Sequence, residues 1–117
     1  MAKAYSDARV ADGPLLFVSG QTPQAPDGGV AGDIAGQTRQ IFRNMESVLA
    51  SHGADLTHLV KLTYYLRHVG DLDAFRPALI RCLPDEPRPA GTLVEINGFV
   101  DPRYLVEIDA VACLPRS

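Results

Sequence analysis

An α+β domain, with two amphipathic helices packed on one face of a mixed β-sheet, is the fold class the chain predicts. Three observations carry that expectation. Strand-like runs and helical stretches follow in the order β-β-α-β-α-β-β; each helical stretch has one apolar stripe; and the last run alternates apolar and polar residues so regularly that only one side of the sheet can be covered. At 117 residues the chain accommodates one domain, 1–117, and no second core.

Residues 5–10 and 15–19 are short runs separated by Ala11-Asp12-Gly13-Pro14, a turn-rich spacer that predicts a β-hairpin with a loop longer than two residues. Residues 21–33 hold three of the ten glycines and two prolines, and read as a loop. Asp33 is placed to cap a helix in which Ile34, Ile41, Met45, Val48 and Leu49 form one stripe, while Arg39, Gln40, Arg43 and Glu46 lie elsewhere. Gly53 is positioned to end that helix in the left-handed conformation.

Residues 59–66 have the β-branched and aromatic content of a strand, with Val60, Leu62, Tyr64 and Leu66 on one face. A second helix is expected to begin near Asp71 or Asp73 and to bury Phe75, Leu79 and Leu83; with Asp73 as its cap, Pro77 falls near the first turn, where it costs little. Pro84-Asp85-Glu86-Pro87-Arg88-Pro89 then stops the helix and stiffens the entry to the next strand. On the last strand Val106, Ile108, Ala110 and Ala112 point toward the helices, and Leu105, Glu107, Asp109 and Val111 point away. Grouped with Gly91, Leu93 and Glu95, the second set predicts a partly apolar sheet face left in water, and hence self-association through Leu93, Leu105 and Val111.

Composition narrows the function classes. A hydrophobic content of 46% lies in the globular range, and residues 1–7 contain no apolar segment of the kind a secretory leader needs, so a soluble cytoplasmic protein with no membrane partner is expected. A net charge of −3, with Lys3 and Lys61 the only lysines, argues against nucleic acid as a partner, because such a surface needs clustered cations. Cys82 and Cys113 lack CxxC spacing, and His52, His58 and His68 are irregularly spaced; no metal site is expected.

Several segments, in order, carry a resemblance. They are Tyr5-Ser6-Asp7-Ala8, Leu15-Leu16-Phe17-Val18-Ser19-Gly20-Gln21-Thr22-Pro23, Gly32-Asp33-Ile34 with Gln37-Thr38-Arg39-Gln40 and Asn44-Met45, Val60-Lys61-Leu62-Thr63, Pro89-Ala90-Gly91-Thr92-Leu93-Val94-Glu95-Ile96, and Leu105-Val106-Glu107-Ile108-Asp109-Ala110-Val111-Ala112. Together they resemble the RidA/YjgF family of reactive enamine/imine deaminases, also known as the endoribonuclease L-PSP family. The resemblance implies a chorismate-mutase-like protomer, a homotrimer closing a central β-barrel, a small-molecule ligand in clefts between subunits, and no cofactor.

Carried over by position, Glu107 is implied as the catalytic carboxylate that holds an attacking water, with Tyr5, Ser19, Gly91, Thr92 and Leu93 as substrate-binding residues. Gly91 stands where the family pattern has an arginine that clamps the substrate carboxylate, and Leu79 where deaminating relatives commonly have an asparagine. Arg103, in the Asp101-Pro102-Arg103-Tyr104 turn, and Arg88 are the nearby cations able to replace it; surface placement is the plainer reading of both.

The remaining candidates also have plainer readings. Glu107 can be an interface carboxylate, as Asp109 can; Glu95 can be an ion-pair partner; and Tyr5 can simply fasten the N-terminal segment. Ser19 lies in Val-Ser-Gly-Gln, which lacks the surroundings of an activated nucleophile, so a pocket hydroxyl is the expected role. Two function classes follow: a hydrolase acting on an imine, enamine or related C–N bond with altered substrate scope, or a catalytically silent binding or protein-interaction module of the same fold. Ribonuclease activity ranks third, given the acidic charge balance and the absence of a lysine-rich groove.

Overall fold

The computed structural model describes residues 3–116. Its elements are β1 (Leu15–Gln21), α1 (Ile34–Ala50), β2 (Leu59–Leu66), α2 (Leu72–Cys82), β3 (Ala90–Glu95) and β4 (Val106–Cys113), with short 3-10 turns at Leu56–His58 and Val69–Asp71. The sheet order is β1-β4-β2-β3. β4 pairs antiparallel with β1 and β2, whereas β2 and β3 run parallel, as strands joined through a crossover helix can.

Both helices lie on one face of this mixed sheet, as expected for the α+β class. The buried core joins Ile41, Phe42, Met45 and Leu49 of α1 with Phe75 and Leu79 of α2, and sets them against Leu62, Tyr64 and Leu66 of β2 and Val106, Ile108 and Ala110 of β4. The alternation anticipated for 59–66 and for the last strand is observed: Val60, Leu62, Tyr64 and Leu66 are buried, as are Val106, Ile108, Ala110 and Ala112. Phe75 meets Tyr64 edge to face, with centroids 5.5 Å apart, anchoring α2 over the β2–β3 half of the sheet.

The helix ends follow from local chemistry. Asp33 has the extended backbone of an N-cap and its carbonyl accepts from the Gln37 N–H, but its side chain makes no capping bond. At the other end Gly53 has φ +73°, the Gly53 N–H donates to Ala50 and the Ala54 N–H to Leu49, the paired bonds of a Schellman stop. In α2 the cap is Asp71 rather than Asp73, so Pro77 lies inside the helix. It is tolerated because Asp73 and Pro77 are both exposed, leaving the carbonyl that Pro77 cannot bond open to water.

Two expectations fail. Residues 5–10 do not form a hairpin with β1: Ser6 bridges Ala90 of β3, and its N–H donates to Pro89 O at 3.0 Å, so this segment lies at the edge opposite β1. The spacer at 11–14 therefore spans the end of the sheet instead of turning back. The second failure concerns Gly91, Leu93 and Glu95. In the parallel register they stand beside Leu62, Tyr64 and Leu66, so they face the helices, and Thr92 and Val94 face outward. Leu105 is half-buried against the core. The exposed apolar side chains on the outer face are Leu15, Phe17 and Val94, alongside half-buried Val111.

Candidate functional site

The helix face and the outer face of the sheet each hold part of the expected site. On the helix face a cleft of about 720 Å³ opens at the β3 edge. α2 supplies Phe75 and Leu79, β2 supplies Tyr64, β3 supplies Gly91 and Leu93, and the N-terminal segment supplies Tyr5. Gly91 matters here for close approach: a Cβ built on it would lie 3.1 Å from Tyr64 Cε2, 3.3 Å from the Tyr64 hydroxyl and 3.5 Å from Tyr5 Cβ. The space beside residue 91 is thus taken by two tyrosines. Lys3 and Arg76 also line the cleft, and no aspartate or glutamate does. The Tyr64 hydroxyl is buried without a hydrogen-bond partner. Burial pushes its pKa well up, opposed by the charge of Arg88, so it remains a protonated donor at neutral pH.

On the outer face, Glu107 stands beside Tyr65 and Asp109 beside Thr63, which in turn neighbours Thr92. The Tyr65 hydroxyl donates to Asp109 Oδ2 at 2.8 Å. Between Val18 and Gln21 the β1–β4 register slips by one residue, and Ser19 and Gly20 occupy the resulting bulge opposite Asp109. The bulge sets Gly20 directly against Glu107: a Cβ on Gly20 would collide with Glu107 Oε1. Glu107 is half-buried, and its pKa is raised, first by this desolvation and then by the Asp109 charge. A half-buried carboxylate seated against a backbone and biased toward holding a proton can act as a general base and return the proton as an acid.

One protomer therefore brings Tyr5, Gly91 and Leu93 together on the helix face, and Ser19, Thr92 and Glu107 on the outer face. It does not bring the two sets together. Arg103 joins neither: its guanidinium binds Asp101 at 2.8 Å and its carbonyl accepts from Gln37 Nε2. Arg88, expected at the surface, is only 6% exposed. Glu95 accepts from the Val69 N–H rather than from a cation. His58 accepts from the Asp55 N–H in a capping box. Among the described residues no group of three or more His, Cys, Asp or Glu side chains is arranged to hold a metal ion. Nor is any helix among them long and apolar enough to cross a membrane.

Sequence reasoning does not single out Tyr64, Phe75 or Gly20 as site residues. The first two were read as core, and the register that sets Tyr64 beside Leu93, with its ring over Gly91, is not local information. Gly20 had one usable signal, its position after Ser19 within a strand run, where glycine marks a bulge or a close approach.

Comparison with known proteins places these features in a family. The family model described as endoribonuclease L-PSP matches residues 1–114. A RutC family protein of Pyrococcus horikoshii is 34% identical over 110 residues, covering 92% of this chain and 85% of that protein. A human 2-iminobutanoate/2-iminopropanoate deaminase is 34% identical over 71 residues, 59% of this chain and 51% of the human protein. Among solved structures, the Rid family protein YyfB of Yersinia pestis superimposes with a TM-score of 0.83 at 25% identity, covering 95% of this chain and 87% of that one.

Proposed function

The chain belongs to the endoribonuclease L-PSP family, which includes the RidA and YjgF proteins, and on that premise we propose that it hydrolyses the C–N bond of a small imine or enamine in a cleft completed by a second copy of the chain. The observation that carries this reading is Glu107: a half-buried carboxylate on the outer face, seated against Gly20, with its pKa raised. In the proposed step Glu107 accepts a proton from water as the oxygen attacks the imine carbon and passes it to the nitrogen; it then takes the proton of the new hydroxyl and passes that to the nitrogen as the carbonyl forms and the C–N bond breaks. Water and imine become a carbonyl compound and ammonia. The name of the human relative supports this chemistry. Substrate scope differs from that of arginine-bearing relatives, because neither Gly91 nor Arg103 supplies a clamp from the positions considered at the outset.

The helix-face cleft and Glu107 lie on opposite faces, so the reading requires a homotrimer or another closed assembly that sets the outer face of one copy against the cleft of the next. The exposed Phe17, Leu15 and Val94 support such contact. The test is an imine generated by an amino-acid oxidase, with release of ammonia followed. Glu107→Gln is expected to lower turnover by about 10²–10⁴-fold while leaving assembly and melting temperature nearly unchanged. A mutant that dissociates but retains its activity per folded assembly would instead make Glu107 an interface residue. The binding-module reading then takes over, favoured by the absence of any carboxylate or histidine among the residues lining the cleft.

A further inference from the structure

Two carboxylates stand side by side on the outer face of the sheet. Glu107 and Asp109 occupy alternate positions of β4, so both point away from the helices, with Cα atoms about 7 Å apart along the strand. Among the described residues neither takes part in a salt bridge. Like charges that neighbour one another on a sheet face are destabilising, and a sheet shaped by stability alone would set a cation beside them. Two cations are close in the fold and are engaged elsewhere. Lys61 lies on the same face of β2, opposite Val111, and its ammonium donates to the Leu62 carbonyl and the Thr63 hydroxyl, each at 3.0 Å. Arg67, just past the end of β2, donates to the Pro102 carbonyl at 3.3 Å.

A tyrosine takes the place that a cation would have. Tyr65 stands directly across from Glu107 on β2, yet its hydroxyl reaches along the face and donates to Asp109 Oδ2 at 2.8 Å. That bond, then desolvation and the charges of Asp109 and Glu107, push the Tyr65 pKa up, so the phenol remains a donor. A neutral donor fixes the position of the Asp109 carboxylate without cancelling its charge. The other elements around Glu107 bring no ionisable group: β1 presents the bulge at Ser19 and Gly20, β3 presents Thr92 and Val94 on this face, and both helices lie behind the sheet.

We propose that Asp109, held in place by Tyr65, is a positioning residue for the proton transfers of Glu107: its fixed negative charge, two residues away on the same strand face, makes Glu107 keep each proton until the nitrogen takes it. This role rests on the hydrolysis proposed above. General acid–base catalysis is most efficient when a group's hold on its proton suits the working pH, and an unperturbed glutamate holds its proton too weakly for that. The raised pKa of Glu107, by burial first and the Asp109 charge second, agrees in direction.

Asp109→Asn tests this, since it keeps the shape and an acceptor for Tyr65 but removes the charge, whereas Asp109→Glu keeps the charge. Both Asp109 and Tyr65 are part-exposed, so these substitutions spare the core. In carboxyl-carbon NMR titrations of the full chain, Glu107 is expected to titrate lower in Asp109→Asn than in the parent, and close to the parent in Asp109→Glu. With an imine generated by an amino-acid oxidase, the acidic limb of the kcat/KM profile should move to lower pH in Asp109→Asn by the same interval, and kcat at neutral pH should fall by about tenfold with KM nearly unchanged. Tyr65→Phe leaves the charge but frees the carboxylate, and should lower kcat by about three- to tenfold; it carries the test alone if Asp109→Asn does not fold. An unmoved Glu107 titration or an unmoved acidic limb in folded Asp109→Asn, or an unchanged kcat in Tyr65→Phe, overturns the proposal, while ammonia release by the parent leaves the hydrolysis standing. A parent chain that releases no ammonia overturns both.

Discussion

Gly20→Ala isolates the geometry at Glu107 from its chemistry. Gly20 is not among the positive-φ glycines, so alanine fits its backbone, and reducing the freedom of the unfolded chain favours the variant by about 0.4–1 kcal/mol. Against this, the new Cβ would overlap Glu107 Oε1 and lie 3.4 Å from its Cδ. The obstacle is the flexible end of a side chain, so the carboxylate swings away and the backbone stays. With overpacking at the low end of its usual 1–3 kcal/mol, the two effects nearly cancel, and the melting temperature should move by less than about 5 °C.

Restoring ordinary van der Waals contact requires the carboxylate to move by about 1 Å, which costs a positioned catalytic group on the order of tenfold to a hundredfold in rate. The same movement takes it off the Gly20 backbone, lessening the desolvation that is the larger cause of its raised pKa. Glu107 should therefore titrate lower in Gly20→Ala than in the parent chain. Carboxyl-carbon NMR titration measures this without knowledge of any substrate, and a thermal melt confirms the fold. An unchanged Glu107 pKa in a folded Gly20→Ala chain would refute the placement of the carboxylate against the bulge.

Phe17→Asp places a charge at a side chain 74% exposed on the outer face, and light scattering should show loss of self-association with the melt of the single copy preserved. Leu105→Lys, by contrast, strikes a residue packed against the core and should lower stability rather than only dissolve an assembly. Gly91→Arg must push the Tyr64 ring aside by a few tenths of an ångström, and is expected to lower stability by about 1–3 kcal/mol in denaturant melts. Glu107→Gln has a pH signature. Because the folded pKa of Glu107 is raised, the folded chain holds that proton more tightly than the unfolded one, and its contribution to stability is present at low pH and lost as pH rises through the folded pKa. The melting temperature of Glu107→Gln relative to the parent should accordingly be more favourable at pH 7 than at pH 4.

Those elements whose pattern is local were legible in the sequence. The α1 stripe, the strand at 59–66 and the two-faced last strand each declare their buried side through their own period, and Gly53 announces the helix end through its backbone freedom. What failed depends on partners far away along the chain. Residues 5–10 resemble a strand, but whether they pair with β1 or with β3 is decided by which edge remains open, and β4 takes β1. The face of Gly91, Leu93 and Glu95 is fixed by the parallel register with β2; a shift of one residue would exchange inside for outside.

The site was misjudged for the same reason. Arginine is exposed by default, so nothing in Pro87-Arg88-Pro89 signals a buried guanidinium. In the fold the N-terminal segment lies along β3, and Ser6 and Arg9 donate to the Arg88 carbonyl. The segment that was expected to form a hairpin instead lies at the β3 edge and carries Tyr5 to the cleft. Under the proposed reading this connects fold to function: the edge contact of the N-terminal segment adds Tyr5 to the wall of the cleft, and the β1 bulge at the opposite edge of the sheet lies against the outward-facing Glu107. One copy thereby presents a binding half and a proton-handling half in opposite directions, an arrangement that becomes a single site only when copies meet.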